Sequence, residues 1–203
     1  MRGTRILALG ALAALTIVHG HHGTDPLEAG TALRMELEDA VEPAALVFEG
    51  RVLEARPVAG ANGDVFTDYD LRVDRTFLGE PAGAHTIRLP GGMLPSGRGT
   101  LVPGMPSLSI GQDVVLLLTE ASEHGGARMT VGLTQGRYRI VRDPGGARFA
   151  VRDDAVAALV DATGQPASSG AHAVQEYAEF RARLEAAANA TRARRAGETG
   201  EER

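Results

Sequence analysis

The alternation of apolar and polar residues is clearest between residues 65 and 74. Val65, Thr67, Tyr69, Leu71 and Val73 fall on one side of a period of two, and Asp68, Asp70, Arg72 and Asp74 fall on the other. Successive side chains of a strand point to opposite faces, so this pattern predicts a half-buried β-strand. The preceding pair Asn62-Gly63 tolerates positive φ angles and predicts a tight hairpin into that strand.

A second alternating segment begins at Ala45 and predicts the partner strand of this hairpin. Leu46, Phe48 and Val52 lie on one side of the period, while Glu49 and Arg51 lie on the other. Gly50 interrupts the segment, and a glycine inside a strand is typical of a bulge or a sharp bend.

Further strands are predicted at residues 85–89, 113–118, 128–133, 137–142 and 147–152, separated by turns rich in glycine, proline and aspartate. The apolar run 114–118 is continuous, which indicates a strand covered on both faces. Short, regularly spaced strands favour a mainly β fold, and we expect a small OB-like barrel or sandwich of five to seven strands over residues 45–152.

The composition changes after residue 152 and predicts a helical extension over residues 153–190. Asp153 and Asp154 suit the cap of a short helix that runs to Val160, and a second helix is expected after Gly170. Val174, Tyr177, Phe180 and Leu184 form an apolar stripe at helical spacing, so this helix is expected to pack on the β domain. Residues 191–203 lack such a period and are predicted to be a disordered tail.

The first 20 residues have the pattern of a signal peptide. Arg2 and Arg5 precede an apolar run over residues 6–18, and residues 18–20 form a possible cleavage site. The run has 13 residues, whereas a membrane-spanning helix needs about 20, so no permanent membrane span is expected. The chain is therefore predicted to be exported across the inner membrane of a bacterium, into the periplasm or the medium.

The segment 21–44 that follows is mixed in character. Residues 31–37 alternate between apolar and polar, and Glu38, Asp39 and Glu42 then suggest a short helical turn that stops at Pro43.

The composition narrows the classes of partner. The chain has no cysteine, which excludes disulfides, thiolate metal sites and a lipid anchor on cysteine. Its formal net charge of −5 becomes −7 once Arg2 and Arg5 are cleaved off, so neither nucleic acid nor an anionic lipid surface is an expected partner. A protein partner in the cell envelope or the medium is compatible with this charge; the oligomeric state stays open.

Two histidines at the mature amino terminus are the candidate metal ligands. Cleavage after Gly20 would expose His21 and His22, whose imidazoles could bind Cu(II) or Zn(II) together with the terminal amine. The alternative is that the two histidines belong to a floppy segment beside the cleavage site.

A long connection rich in glycine and proline, residues 90–104, contains the candidate ligand-binding residues. Long loops in compact domains are often functional, and Gly91, Gly92, Arg98 and Gly99 could hold an anionic group through backbone donors and a guanidinium. The lysine of a phosphate-binding loop is absent, so a nucleotide site is not expected. The alternative is a surface crossover between two sheets.

No segment has a specific catalytic signature, and no cofactor is expected. Ser96 and Ser107 lack the context of a hydrolase nucleophile. Asp68, Asp70 and Asp74 could act as paired carboxylates, but a solvated strand face interleaved with Arg72 explains them better. Whether the protein is an enzyme stays open, and the sequence leans against it.

Several short motifs, in this order, resemble a group of uncharacterised exported bacterial proteins. The motifs lie at residues 48–52, 77–79, 90–92, 102–104, 110–118 and 131–138 and cover about half of the chain. More distantly, the chain is similar to the netrin-like OB-type barrel of tissue metalloproteinase inhibitors. The similarity lies in the strands and in a turn that contains glycine. Those inhibitors use an amino-terminal cysteine that this chain lacks.

Three functions follow as hypotheses. The first is a non-enzymatic exported binding module that presents residues 91–104 to a partner. The second is a metal-binding protein or metalloenzyme that uses His21 and His22, and the third is an inhibitor or escort of a secreted protease.

Overall fold

The computed structural model describes residues 31–81, 83–123, 125–152, 158–160, 163, 165 and 173–201. The strands are β1 (Thr31–Leu33), β2 (Leu46–Ala59), β3 (Val65–Leu78), β4 (Gly83–Pro90), β5 (Gly92–Met93), β6 (Gly99–Thr100), β7 (Asp113–Leu118), β8 (Arg137–Arg142), β9 (Arg148–Arg152), β10 (Ala158–Val160) and β11 (Ala173–Glu176). Two α-helices, α1 (Leu37–Val41) and α2 (Tyr177–Glu201), and a 3-10 helix (Leu133–Gly136) accompany them.

Seven of these strands form one sheet in the order β11-β9-β8-β7-β2-β3-β4, with every neighbouring pair antiparallel. Two small sheets, β1 with β10 and β5 with β6, complete the β structure of the described residues. The predicted mainly β fold with a carboxy-terminal helix is confirmed. A closed barrel is not seen among the described strands, because the outer strands β11 and β4 are not paired with each other.

The long β2–β3 hairpin forms as its sequence predicts. Ala59 pairs with Val65 across the turn that contains Asn62 and Gly63, and Gly63 has a φ of 87°. The register shifts between Glu49 and Gly50, which confirms the bulge.

The central strand β7 separates two apolar clusters. Val115 and Leu117 belong to the cluster beneath the helices, and Val114, Leu116 and Leu118 belong to a cluster on the opposite face. All five side chains are fully buried, so the predicted coverage of both faces is confirmed.

Helix α2 packs on the first of these clusters, with two differences from the prediction. Tyr177, Phe180 and Leu184 are buried, but Val174 lies on β11 and is exposed, because residues 173–176 pair with β9 instead of starting the helix. The predicted disordered tail is wrong for residues 191–201, which continue α2.

Two other predicted elements are wrong. Residues 128–133 make only a β-bridge at Thr130, because Gly132 and Leu133 adopt left-handed φ values of 61° and 60° and turn the chain into the 3-10 helix. The expected helix ending at Val160 is replaced at its end by strand β10, which pairs in parallel with β1. Residues 153–157 lie outside the described residues.

Candidate functional site

The connection between β4 and β7, residues 91–112, is held against the hairpin strands by specific hydrogen bonds. The backbone N–H of Gly91 donates to the carbonyl of Val65 at 2.9 Å. The hydroxyl of Thr67 donates to the carbonyl of Gly91 at 2.8 Å, and the N–H of Val65 donates to the hydroxyl of Thr100 at 2.9 Å. The residue before β5 and the strand β6 are therefore both tied to the start of β3.

The second half of the connection is anchored by a buried side chain. Leu108 is 6 % exposed and belongs to the cluster on the face opposite the helices, and its N–H donates to the Tyr69 hydroxyl at 3.4 Å. The guanidinium of Arg137 donates to the carbonyl of Ser107 at 3.4 Å. A segment anchored at both ends in this way is pre-organised, which lowers the entropic cost of binding.

Between the connection, the start of β3 and the end of β4 lies a cavity of about 400 Å³, here called the binding cavity. Its lining residues are uncharged and mostly apolar: Thr67, Tyr69, Leu89, Pro90, Gly91, Gly92, Met93, Gly99, Thr100, Leu101, Val102, Met105, Pro106 and Ser107. The volume falls in the range of small-molecule sites, about 300–1,000 Å³. The side-chain hydroxyls are the polar groups that could orient a guest.

The mouth of the binding cavity exposes large apolar side chains. Leu101 is 79 % exposed and Met93 is 63 % exposed. Met93 and Met105 have flexible, polarisable side chains that can adapt to guests of different shape. The arrangement can bind an apolar group and shield it from water.

Three of the four predicted ligand-binding residues lie together here. Gly91, Gly92 and Gly99 line the binding cavity, whereas Arg98 is exposed and does not belong to the lining. Gly92 has a φ of 142°, and a Cβ atom at this position would clash with the hydroxyl of Thr67. Because no charged side chain lines the cavity, its chemistry favours an uncharged guest over the anion expected from Arg98.

Sequence reasoning missed the contribution of the hairpin strand to this cavity. The alternation places Thr67 and Tyr69 on the apolar face of a strand, and only the fold brings them beneath the connection. A signal was present in the apolar residues Met93, Leu101 and Met105, which are unusual in a glycine- and proline-rich loop.

The predicted metal ligands His21 and His22 lie outside the described residues. Within the part of the chain that is described, no group of three or more His, Asp or Glu residues could hold a metal ion.

His85 packs edge-on against Phe48, with 6.1 Å between the ring centroids. Burial, together with the nearby charge of Arg128, lowers the pKa of His85 below its ordinary value of 6.5, so the neutral imidazole predominates at pH 7.

The acidic row on β3 is paired with arginines. Asp68 receives two hydrogen bonds from Arg88, at 2.6 and 2.8 Å, and Asp70 receives one from Arg56 at 2.7 Å. These ion pairs favour the interpretation of a strand face over that of paired catalytic carboxylates.

Comparisons with known proteins add no relative. The chain matches no family model, and neither curated proteins nor solved structures yield a significant match. The resemblances to an exported bacterial group and to netrin-like barrels therefore stay predictions.

Of the helices in the described part of the chain, none combines the length and apolar character that crossing a membrane requires.

Proposed function

We propose that this chain is an exported, non-enzymatic binding module whose binding cavity takes an uncharged apolar group of a partner in the cell envelope or the medium. The observation that carries the proposal is the position of residues 91–107. They form most of an apolar cavity, and at its mouth Leu101 and Met93 are left in contact with solvent.

The lining supports binding more than catalysis. It contains no carboxylate and no imidazole, so none of its side chains is an ordinary general base. Its exposed apolar surface is of the kind that marks ligand or protein contact sites. Export itself is supported by the amino-terminal pattern of two arginines followed by an apolar run.

The test uses N-phenyl-1-naphthylamine, an uncharged fluorophore that brightens in apolar surroundings. The full chain is expected to bind it saturably, and the double variant Met93→Ser, Leu101→Ser is expected to bind it about tenfold more weakly, because two apolar contacts are lost. The same pair of proteins, immobilised, is then used to capture partners from envelope extract and culture fluid.

The matched control is Ile110→Ser. Ile110 is 65 % exposed and lies in the same connection, but it does not line the binding cavity. The proposal would be contradicted if the control and the double variant lost fluorophore affinity equally, or if the unaltered chain did not bind the fluorophore saturably.

A further inference from the structure

A second cleft, on the other face of the sheet, is lined by six arginines. It has a volume of about 380 Å³ and lies where β2, β3, β7, β8 and β9 meet the first turns of α2. The six are Arg51, Arg72, Arg75, Arg142, Arg148 and Arg181, and this site is here called the arginine cleft. The chain as a whole has a formal net charge of −5, so the cleft concentrates charge of the opposite sign.

The strand register places like charges directly opposite each other at this site. Arg51 pairs with Arg72 across β2 and β3, and Arg142 pairs with Arg148 across β8 and β9. Directly opposed like charges destabilise a sheet. Two such pairs beside one cleft indicate that negative charge is needed there.

Carboxylates neutralise only part of this charge. Asp113 lies 3.4 Å from Arg51, Asp74 lies 2.8 Å from Arg72, and Glu49 is bonded to Arg148.

A fourth carboxylate, Glu185, is shared by Arg75 and Arg181, each at 3.5 Å. Arg142 has no ion pair with any residue in the described ranges. Six guanidinium groups therefore face four carboxylates, which leaves an excess of positive charge.

One buried donor in the cleft also lacks an acceptor. The Nε atom of Arg148 is buried and makes no hydrogen bond within the described structure, whereas the Nε atom of Arg181 lies 3.5 Å from the Glu185 carboxylate. A buried donor without an acceptor is costly, and an oxyanion in the cleft would supply one.

The guanidinium of Arg148 is held in place before any ligand arrives. It lies 3.7 Å from the centroid of the Tyr177 ring, and Glu49, which also accepts a hydrogen bond from the Tyr177 hydroxyl at 2.5 Å, binds it from one side. Burial alone would lower the pKa of Arg148, but the hydrogen bond and charge of Glu49 raise it above its ordinary value. Its charge is therefore permanent.

From these contacts we propose that the arginine cleft binds a tetrahedral oxyanion, a phosphate or sulfate group, either free or carried by a lipid headgroup. Guanidinium forks match such oxygens with paired hydrogen bonds, and the cleft offers several of them around one space. The site is separate from the binding cavity and does not depend on the function proposed for it.

The test is calorimetric titration of the full chain with inorganic phosphate and with sulfate at low ionic strength. Arg142→Gln is expected to weaken binding about tenfold, because a charged donor is lost without disturbing an existing ion pair. Asp113→Asn is expected to strengthen binding about threefold, because it removes a competing negative charge from the cleft. A purely structural role for the arginines would not predict these opposite signs.

Arg139→Gln is the matched control. Arg139 lies on β8 with Arg142, but it pairs with Val114 and does not line the cleft. This variant is expected to change the affinity by less than about twofold, since only long-range charge is lost.

A second arm uses phosphatidylcholine vesicles with and without phosphatidylglycerol, to separate a free anion from a lipid phosphate. The site is supported if the chain binds the free anion or the vesicles saturably, Arg142→Gln weakens this binding and Arg139→Gln leaves it intact. Equal weakening by both variants, or no binding of phosphate, sulfate or vesicles, overturns it.

Discussion

At the scale of single residues, Gly50 decides how the longest strand bends. A Cβ atom at this position would lie 2.5 Å from the carbonyl oxygen of Arg72, so only glycine allows β2 to approach β3 this closely. Glu49, beside this bulge, is buried, with 6 % of its surface exposed. Arg148 and Tyr177 donate hydrogen bonds to its carboxylate there. One missing side chain thus shapes both the sheet and the edge of the arginine cleft.

Gly50→Ala is expected to lower the free energy of unfolding by about 2 kcal/mol, because the backbone of β3 must move away from the new methyl group. Urea denaturation followed by circular dichroism measures this change. Gly145→Ala is the control, since its nearest contact is the Asp143 side chain at 3.3 Å in an exposed turn. If the two variants are equally stable, the backbones of β2 and β3 do not lie as close together at Gly50 as the structure shows.

At the scale of elements, the second half of α2 is fixed by arginines that reach the backbone of other elements. Arg192 donates to the carbonyl of Phe77 at 2.7 Å, and Arg195 donates to the carbonyls of Glu42 and Ala44 at 2.7 and 2.9 Å. Thr191 is 2 % exposed. These contacts explain why a segment without an apolar period continues as helix.

Arg195→Ala is expected to destabilise the fold by about 1–2 kcal/mol, because two backbone carbonyls lose their charged donor. Among the described residues, its neighbour Arg194 forms just one exposed ion pair, with Glu42 at 3.1 Å, so Arg194→Ala should cost less than about 0.5 kcal/mol. Thermal unfolding of both variants tests the difference. Indistinguishable melting temperatures would mean that the end of α2 does not dock.

At the scale of the whole molecule, one ion pair joins the amino-terminal and carboxy-terminal helices. Both carboxylate oxygens of Glu38 on α1 accept hydrogen bonds from Arg183 on α2, each at 3.0 Å. The hydrogen bond from Arg183 lowers the pKa of Glu38 below its ordinary value of 4.5. Because the folded pKa lies below the unfolded one, the pair stabilises the protein above about pH 4.5, and this contribution is lost as the pH falls through the folded pKa.

Glu38→Gln is therefore expected to cost about 0.5 kcal/mol of unfolding free energy at pH 7, a small value because the pair is half-exposed. At pH 3 the cost should be smaller, because this pH lies below the unfolded pKa of about 4.5 and the stabilisation from the ion pair declines below that pH. Denaturant titrations at both pH values measure it, with the adjacent Asp39→Asn as control. A cost that is independent of pH would show that the ion pair does not link the helices.

Local pattern was enough to predict six of the seven strands of the main sheet, the β2–β3 hairpin and the fold class. The alternation around Tyr69, the turn at Asn62-Gly63 and the apolar run of β7 depend on neighbours along the chain, and all three are found in the structure. The same local logic also identified residues 91–104 as an unusual connection. It failed at residues 128–133 and at Val160, at the end of α2 and at Val174, where pairing with β9 overrides helical spacing.

Only the tertiary structure decided what those elements enclose. Thr67 and Tyr69 become walls of the binding cavity because the connection folds back over them, and Arg142 and Arg148 meet in one cleft because β8 and β9 share a register. The end of α2 is helical because distant carbonyls accept its arginines. Each of these features depends on contacts between residues far apart in the chain, and a periodic pattern within one segment contains no information about them.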